Sequence, residues 1–208
     1  MAVPPPALPR RSGDMTNHPT AKAAQRKALR AARDAYVGAL SIEKRARLEA
    51  DAASALMPLL AGSTAVAFYV ALGSEMGCAA AIDATARAGF AVLLPRVTGP
   101  GSDMHFHLWS PVDPLERGWR GLLQPSADAP LREPDAIVAP LVGFDSRLMR
   151  LGQGGGFYDR AFALRPMVKK IGFGWSVQQS CAIAGDPWDV PLGAVVTERG
   201  PIEPEERG

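Results

Sequence analysis

The feature that most restricts the fold of this chain is a regular alternation of short apolar runs with longer helix-forming segments. The runs contain β-branched and aromatic residues, which favours buried strands over helices. They are Thr64–Leu72, Phe90–Pro95, Ala136–Phe144, Lys170–Trp175 and Gly193–Glu198. The sequence therefore predicts several buried strands, with Ala136–Phe144 in the centre of a sheet.

Helical segments separate these runs. Ala21–Leu40 is rich in alanine, lysine and arginine and contains no proline, which predicts a first helix. A second helix is expected to begin at Ser41, a residue type that caps helix N-termini, and to end before Pro58. Alanine-rich Glu75–Ala88 and a short segment around Tyr158–Leu164 predict two more. Strands that alternate with helices indicate an α/β layered fold.

Asp103–Trp109 alternates apolar and polar residues, which predicts a half-exposed strand. Its apolar face carries Met104, Phe106 and Leu108. His105 and His107 lie on the other face, where we expect solvated side chains rather than metal ligands. Gly118–Pro134, dense in glycine and proline, predicts a loop.

Length and composition limit the class of protein. With 208 residues, 47% of them hydrophobic, the chain can bury one sizeable core, so we expect a single domain over residues 21–200. The formal net charge of +2 gives no reason to expect nucleic acid or a membrane surface as a partner. Cys78 and Cys181 lie too far apart for a disulfide framework or a zinc motif, and we expect both in the core of a cytoplasmic protein.

The two ends differ from the rest of the chain. Residues 1–20 are polar and proline-rich and lack the apolar core of a signal peptide, so we expect a disordered tail, with Met15 as an alternative start. A second disordered tail is expected at residues 201–208. No apolar run approaches the ~20 residues of a membrane span.

The segment Arg150–Arg160, "RLGQGGGFYDR", has four glycines in five positions between two arginines. Glycines let a backbone approach a ligand closely, and successive N–H groups before a helix N-terminus bind anions. Arg150 and Arg160 could add charge-assisted hydrogen bonds worth roughly 1.5–3 kcal/mol each. These features favour a phosphate group as the ligand.

Known phosphate-binding signatures do not match this segment. Phe157 stands where a dinucleotide-binding fingerprint needs its last glycine, and no Gly-Lys-Ser/Thr of a P-loop follows. Spacing alone therefore leaves a tight glycine turn with surface arginines as an alternative.

The longer stretch Pro140–Arg160, "PLVGFDSRLMRLGQGGGFYDR", closely resembles the 5-formyltetrahydrofolate cyclo-ligase (methenyltetrahydrofolate synthetase) family. The family pattern is an apolar strand, Phe-Asp, and then Arg-Leu-Gly-x-Gly-x-Gly-aromatic-Tyr-Asp. The resemblance runs through most of the chain, in the family's order, over Arg26–Arg30, Glu75, Leu93–Val97, Met104–Phe106, Ile171–Trp175 and Asp189–Glu198.

This resemblance implies a three-layer α/β/α fold with a mostly parallel central sheet, of the cyclo-ligase, sugar-isomerase and CoA-transferase-like kind. It implies a ligase of one-carbon metabolism that uses Mg²⁺ and ATP as co-substrate. The formyl oxygen of 5-formyltetrahydrofolate takes the γ-phosphoryl group, nitrogen 10 attacks the activated carbon, and phosphate leaves to give 5,10-methenyltetrahydrofolate. The partners would be small molecules only, and we expect a monomer.

The resemblance also assigns residues to roles. It implies catalytic roles for Arg150 and Tyr158, and Asp159 as the magnesium ligand. The nucleotide-binding residues it implies are Arg26, Lys27, Ala28, Leu29, Arg30, Arg150, Leu151, Gly152, Gln153, Gly154, Gly155, Gly156, Phe157 and Tyr158. The folate-binding residues it implies are Val70, Glu75, Gln153, Gly154, Gly155, Gly156 and Phe157.

The chain departs from the family pattern near its end. Trp188 stands where the family has histidine, and Gly193 where it has an aspartate that binds metal in relatives; Asp186 and Asp189 remain nearby. Leu148 replaces a frequent glycine. We therefore expect a working enzyme that needs more magnesium.

Two other functions remain open on the sequence. The first is a degenerate relative that binds folate or nucleotide without turnover. The second is an acyl or CoA transferase that uses Glu75 as a catalytic carboxylate. Taken alone, Glu75 could also be an acidic residue at a helix N-terminus.

Overall fold

A computed structural model describes residues 18–186 and 189–204 of the protein. Its centre is a seven-stranded sheet. In sheet order the strands are β11 (Gly200–Ile202), β10 (Ala194–Thr197), β9 (Lys169–Phe173), β6 (Ala136–Pro140), β1 (Ala65–Ala67), β2 (Ala91–Arg96) and β3 (His105–Leu108). The five inner strands pair in parallel, and β11 and β3 close the two edges antiparallel.

Helices cover both faces of this sheet. They are α1 (His18–Gly38), α2 (Ile42–Leu56), α3 (Ala79–Arg87) and α4 (Phe157–Leu164). Successive side chains of a strand point to opposite faces, so Val66, Val92 and Val138 pack under α1–α3. Leu93, Ile137 and Val195 pack against α4. The predicted three-layer α/β/α arrangement with a mostly parallel sheet is confirmed.

The start of α2 follows the capping prediction. Ser41 has extended backbone, and its hydroxyl accepts a hydrogen bond from the Lys44 N–H at 3.1 Å. Such a cap is worth about 1 kcal/mol. The helix ends at Leu56, and Pro58 lies in a short 3₁₀ turn, Met57–Leu60.

The predicted strand Ala136–Phe144 is two strands. β6 ends at Pro140, and β7 (Gly143–Phe144) pairs antiparallel with β8 (Arg150–Leu151) in a separate hairpin. The side-chain amide of Gln178 donates hydrogen bonds to the carbonyl oxygens of Leu141 and Val142, which lets the backbone leave the sheet there. The glycine segment, which we define as Gly152–Gly156, therefore follows a hairpin rather than the central strand.

Two other element predictions were too long. Only Ala65–Ala67 of the run Thr64–Leu72 forms β1, and α3 begins at Ala79 instead of Glu75. The chain between them crosses the carboxyl end of the sheet as a loop, where the Tyr69 hydroxyl donates to the Met76 carbonyl oxygen at 2.7 Å. The predicted loop Gly118–Pro134 includes β5 (Leu123–Gln124), which pairs with β4 (Glu116–Arg117).

Two burial predictions were wrong. His107 is buried, because Leu131 bridges to it across the edge of β3, and its Nδ1 lies 2.7 Å from the Ala129 carbonyl oxygen. Cys181 is exposed, although Ile183 two residues later is buried. Cys78 is buried as expected, and burial raises its thiol pKa to about 12, which leaves an inert thiol.

Regular structure extends into both predicted tails. α1 begins at His18 and β11 ends at Ile202. Residues 1–17 and 205–208, and also Trp188, lie outside the described residues. Among the helices that are described, none combines the length and the apolar character needed to cross a bilayer.

Candidate active site

A cleft of about 670 Å³ opens at the carboxyl ends of the parallel strands. This is the edge where open α/β sheets bind ligands, because the loops that follow the strands converge there. Most of the residues predicted for the site line it: Arg26, Arg30, Val70, Glu75, Arg150, Leu151, Gly152, Gln153, Gly154, Gly155, Gly156, Phe157, Tyr158 and Asp159. The fold thus brings together α1, the loop after β1 and the glycine segment.

Three predicted nucleotide-binding residues lie outside the lining of the cleft. Arg26 and Arg30 are four residues apart on α1 and share one face of the helix, whereas Lys27 and Ala28 point to solvent. Leu29 packs against the apolar cluster that contains Val142 and Leu151. Two of the five predicted residues therefore line the cleft, and nucleotide binding by this block stays a prediction.

The glycine segment wraps closely around its own side chains. Gly154 has φ = 102° and Gly156 has φ = 65°, both in the left-handed region that side chains disfavour. A Cβ at Gly155 would lie 2.9 Å from the Phe157 ring. Arg26 Nε donates a hydrogen bond to the Gly152 carbonyl oxygen at 2.9 Å, which ties the segment to α1.

Gln153 bridges the two sides of the cleft. Its Nε2 donates to Glu75 Oε1 at 2.9 Å, and its Oε1 accepts a hydrogen bond from Arg30. Glu75 is 5% exposed, and its Oε2 accepts a hydrogen bond from the Leu72 N–H at 3.0 Å. Because α3 begins at Ala79, Glu75 is not the helix N-terminal acid that its position in the sequence allowed.

Arg33 supports Glu75 and was missed by the sequence analysis. It is buried, its Nε donates to Ser74 Oγ at 2.9 Å, and its Nη1 lies 3.9 Å from Glu75 Oε1. Its spacing from Arg26 and Arg30, on one face of a helix, was a signal that could have found it.

Buried Arg150 and the partly buried side chains of Tyr158 and Asp159 form a cluster in the cleft. Arg150 Nη2 donates to Asp159 Oδ2 at 2.9 Å, and its guanidinium carbon lies 5.4 Å from the centre of the Tyr158 ring. Burial raises the pKa of the Tyr158 phenol well above its ordinary value, although the Arg150 charge opposes the shift. Tyr158 is therefore a neutral O–H donor at physiological pH and not a base.

Arg160 does not line the cleft. Its Nη1 donates to the Gly155 carbonyl oxygen at 3.3 Å, and its Nη2 donates to the Ser102 carbonyl oxygen at 3.4 Å. Its guanidinium carbon lies 5.1 Å from the centre of the Phe157 ring. This arginine holds the glycine segment in place, which corrects the expectation that it contacts phosphate.

A second cluster that the sequence did not reveal lies at the rim. Lys22 Nζ is 2.6 Å from Asp186 Oδ2 and 2.5 Å from Asp189 Oδ2, and all three residues line the cleft. Burial lowers the pKa of the Lys22 ammonium, but the hydrogen bonds and charges of the two carboxylates outweigh it and raise the pKa. The Lys22 ammonium is thus already paired with both aspartates.

Asp159 offers a carboxylate oxygen to a metal. Asp159 Oδ1 is buried and has no hydrogen-bond partner among the described residues, where no group of three or more His, Cys, Asp or Glu side chains could hold a metal ion. Mg²⁺ commonly binds through one or two carboxylates, with water and phosphate oxygens as its other ligands, so this donor fits Mg²⁺ bound to a nucleotide.

Gly193 lies at the opposite end of the sheet. It precedes β10, and its N–H donates to the carbonyl oxygen of Lys170, near the start of β9, at 2.8 Å. A Cβ at Gly193 would lie 3.5 Å from the same Lys170 carbonyl oxygen. Gly193 is not among the residues that line the cleft, whereas Asp159 is, so the effect of the missing aspartate on the metal site stays a prediction.

Known proteins resemble the chain over most of its length. The profile of the 5-formyltetrahydrofolate cyclo-ligase family matches residues 19–198. The 5-formyltetrahydrofolate cyclo-ligase of Escherichia coli K12 is 32% identical over 169 residues, 76% of this chain and 92% of the relative. The NMR structure of 5,10-methenyltetrahydrofolate synthetase from Aquifex aeolicus superposes with a TM-score of 0.74 at 28% identity, over 90% of this chain and 94% of the other. The synthetase structure from Mycoplasma pneumoniae, at 24% identity and a TM-score of 0.66, shares the fold over 85% of this chain and 98% of its own. This chain belongs to the 5-formyltetrahydrofolate cyclo-ligase family.

Proposed function

We propose that the protein converts 5-formyltetrahydrofolate to 5,10-methenyltetrahydrofolate in this cleft, with ATP consumed to ADP and phosphate. The observation that carries the proposal is that one cavity is lined both by a glycine segment that leads into a helix N-terminus and by a buried carboxylate at Glu75. Membership of the cyclo-ligase family supports the same reaction.

The phosphate chain of ATP would lie along the glycine segment. The N–H groups of this segment and the N-terminus of α4 attract anions, and Arg26 and Arg30 supply positive charge from α1. The absence of side chains at Gly154 and Gly155 lets oxygen atoms approach the backbone.

The pterin ring of the folate would lie against Glu75. A buried carboxylate held by the Leu72 N–H and supported by Arg33 is a fixed acceptor for the N–H groups at a pterin edge. Val70, Met104 and Trp119 supply apolar wall around it, and the Trp119 ring packs against Phe157 with a centroid distance of 5.6 Å.

Phosphoryl transfer to the formyl oxygen needs positioning and charge stabilisation more than covalent help from the protein. Arg150 is a buried cation and Tyr158 a neutral O–H donor, so both can stabilise negative charge on the oxygens that react. The apolar wall excludes water, which favours attack of nitrogen 10 on the activated carbon over hydrolysis. Phosphate then leaves as the ring closes.

Asp159 would be the protein ligand to Mg²⁺, through the open Oδ1. The ion supplies charge neutralisation for the phosphate oxygens during transfer. Arg150, bonded to the other oxygen of the same carboxylate, orients it toward the phosphate position.

An absorbance assay tests the proposal. Purified protein given 5-formyltetrahydrofolate and Mg-ATP should gain the near-ultraviolet chromophore of the methenyl product, and Arg150→Met should form it much more slowly. If both ligands bind by calorimetry and no chromophore appears at any magnesium concentration, the protein is the binding relative without turnover. A reaction with acyl-CoA instead would indicate the transferase.

We also propose that the protein acts as a cytoplasmic monomer on small molecules and does not bind nucleic acid or membranes. The near-balance of 23 basic and 21 acidic residues supports this. Light scattering after size-exclusion chromatography tests the monomer.

A further inference from the structure

Gln153 occupies the acceptor that the folate is proposed to need. Glu75 Oε2 is bonded to the Leu72 N–H, so Oε1 is the oxygen that faces incoming donors, and the Gln153 amide nitrogen lies 2.9 Å from it. A pterin edge that donates to Oε1 from within the cleft competes with the Gln153 amide for this position. A folate bound in this way displaces the side chain of Gln153.

The departure of Gln153 has a consequence on the other side of the cleft. The amide group is one planar unit, and its oxygen accepts the hydrogen bond from Arg30. Moving the nitrogen away from Glu75 also moves this oxygen, so the Arg30 guanidinium loses its partner. Arg30 lines the cleft, where a free guanidinium would attract phosphate.

Gln153 also belongs to the segment that must receive ATP. The segment begins at Gly152, whose carbonyl oxygen is bonded to Arg26, and it continues through Gly154 into α4. In the structure the Gln153 side chain ties the middle of this segment to Glu75, 78 positions away in the sequence. Release of that tie lets the segment adjust around the phosphates.

We propose that Gln153 is a positioning residue that couples the two substrates: folate displaces it from Glu75, which frees Arg30 and the glycine segment for ATP. This inference rests on the proposed function, because it assumes that folate binds at Glu75 and ATP at the glycine segment. Coupling between two sites is reciprocal, so ATP tightens folate binding by the same factor.

Calorimetry of each ligand with and without the other tests the coupling. The probes are 5-formyltetrahydrofolate and the non-hydrolysable nucleotide adenylyl imidodiphosphate with Mg²⁺. For the wild type, saturating folate should tighten nucleotide binding by about 5- to 150-fold, the usual range for coupled sites. For Gln153→Met the factor should fall to about one, because each ligand already finds its site free. The nucleotide Kd of the folate-free variant should approach that of the folate-bound wild type.

Two further variants separate bridging from other roles. Gln153→Asn keeps the amide but is one methylene shorter, so it cannot span Arg30 and Glu75, and it should lose the coupling as Gln153→Met does. Gln25→Met is the matched control, since Gln25 also bridges α1 to a loop, through Ala182 and Ala184, but away from the cleft lining. It should keep the wild-type coupling factor.

The outcomes distinguish the two proposals. If the wild type binds both ligands and their affinities are independent, or if Gln153→Met and Gln153→Asn keep the wild-type factor, this inference is overturned and the proposed function stands. If the wild type binds neither ligand, both are overturned. If folate and nucleotide binding are no longer coupled in both Gln153 variants but remain coupled in Gln25→Met, the proposed role of Gln153 is supported.

Discussion

Arg150 bonds to one oxygen of Asp159 at 2.9 Å, and the other oxygen of that carboxylate is buried with no hydrogen-bond partner in the described part of the chain. A buried acceptor without a partner costs about 1–3 kcal/mol. This oxygen is therefore available to a cation or a donor, while Arg150 holds the other oxygen of the same carboxylate.

Asp159→Asn should raise the magnesium concentration needed for half-maximal activity. Mutating a residue that only hydrogen-bonds to a metal ligand lowers metal affinity by about 10–100-fold. Removing the ligand itself should therefore lower magnesium affinity by at least about tenfold. A magnesium titration of the absorbance assay measures this. If the variant needs no more magnesium than the wild type, Asp159 is not the magnesium ligand. Asp189 would then be the next candidate, although Lys22 Nζ lies 2.5 Å from it.

Gly154→Val should weaken ATP binding by roughly tenfold or more, which corresponds to about 1.4 kcal/mol. The backbone at φ = 102° disfavours a β-branched side chain, and a Cβ there would lie 3.5 Å from the Arg26 guanidinium carbon, in the proposed phosphate site. Calorimetry with the non-hydrolysable nucleotide is the measurement.

Gly62→Val is the control for Gly154→Val. Gly62 also has a positive φ, 78°, but nothing lies within 4 Å of its Cβ position, and it precedes β1 at the far end of the sheet. It should lower the free energy of unfolding without changing nucleotide affinity. If Gly154→Val is folded and binds the nucleotide as tightly as the wild type, the glycine segment is not the phosphate site.

Asp145→Asn should lower the free energy of unfolding most at neutral pH. Burial raises the pKa of the Asp145 carboxyl, but hydrogen bonds from the Ile183 N–H, the Arg147 side chain and the Met149 N–H outweigh it and lower the pKa below its ordinary 3.8. Hydrogen bonds to a charged group are worth about 1.5–3 kcal/mol, so the loss should be of this size.

The pH dependence of this effect has a definite sign. Because the folded pKa is lowered, the carboxylate stabilises the protein above pH 3.8 and this contribution is lost as the pH falls through the folded pKa. Urea unfolding of both proteins from neutral pH to below 3.8 should show the difference shrinking. A difference that is constant with pH would mean that the charge is not involved.

Leu148→Gly should destabilise the protein, although it relieves backbone strain at that position. Leu148 has φ = 58°, and glycine at this position would relieve left-handed strain, which stabilises the folded state by about 1–2 kcal/mol. The side chain is 1% exposed, and losing a buried leucine costs about 2–5 kcal/mol, which is the larger effect. Chemical denaturation measures the balance; a more stable glycine variant would show that strain dominates.

The sequence by itself determined the layers of the fold and the chemistry of the cleft. Continuous apolar runs such as Phe90–Pro95 predict strands that are buried on both faces, and such strands need helices on both sides of the sheet. The Ser41 cap and the glycines of Arg150–Arg160 are likewise local signals, because conformation there depends on the residue itself.

Only the tertiary structure decided which distant side chains meet. Lys22 reaches Asp186 across 164 positions, and Gln153 reaches Glu75 across 78. The burial of His107 depends on a loop that packs over the edge of β3, and the break after Pro140 depends on the side chain of Gln178. Local periodicity specifies that a face is buried, but the partner of a polar group depends on where the folded chain brings other segments, which no local pattern contains.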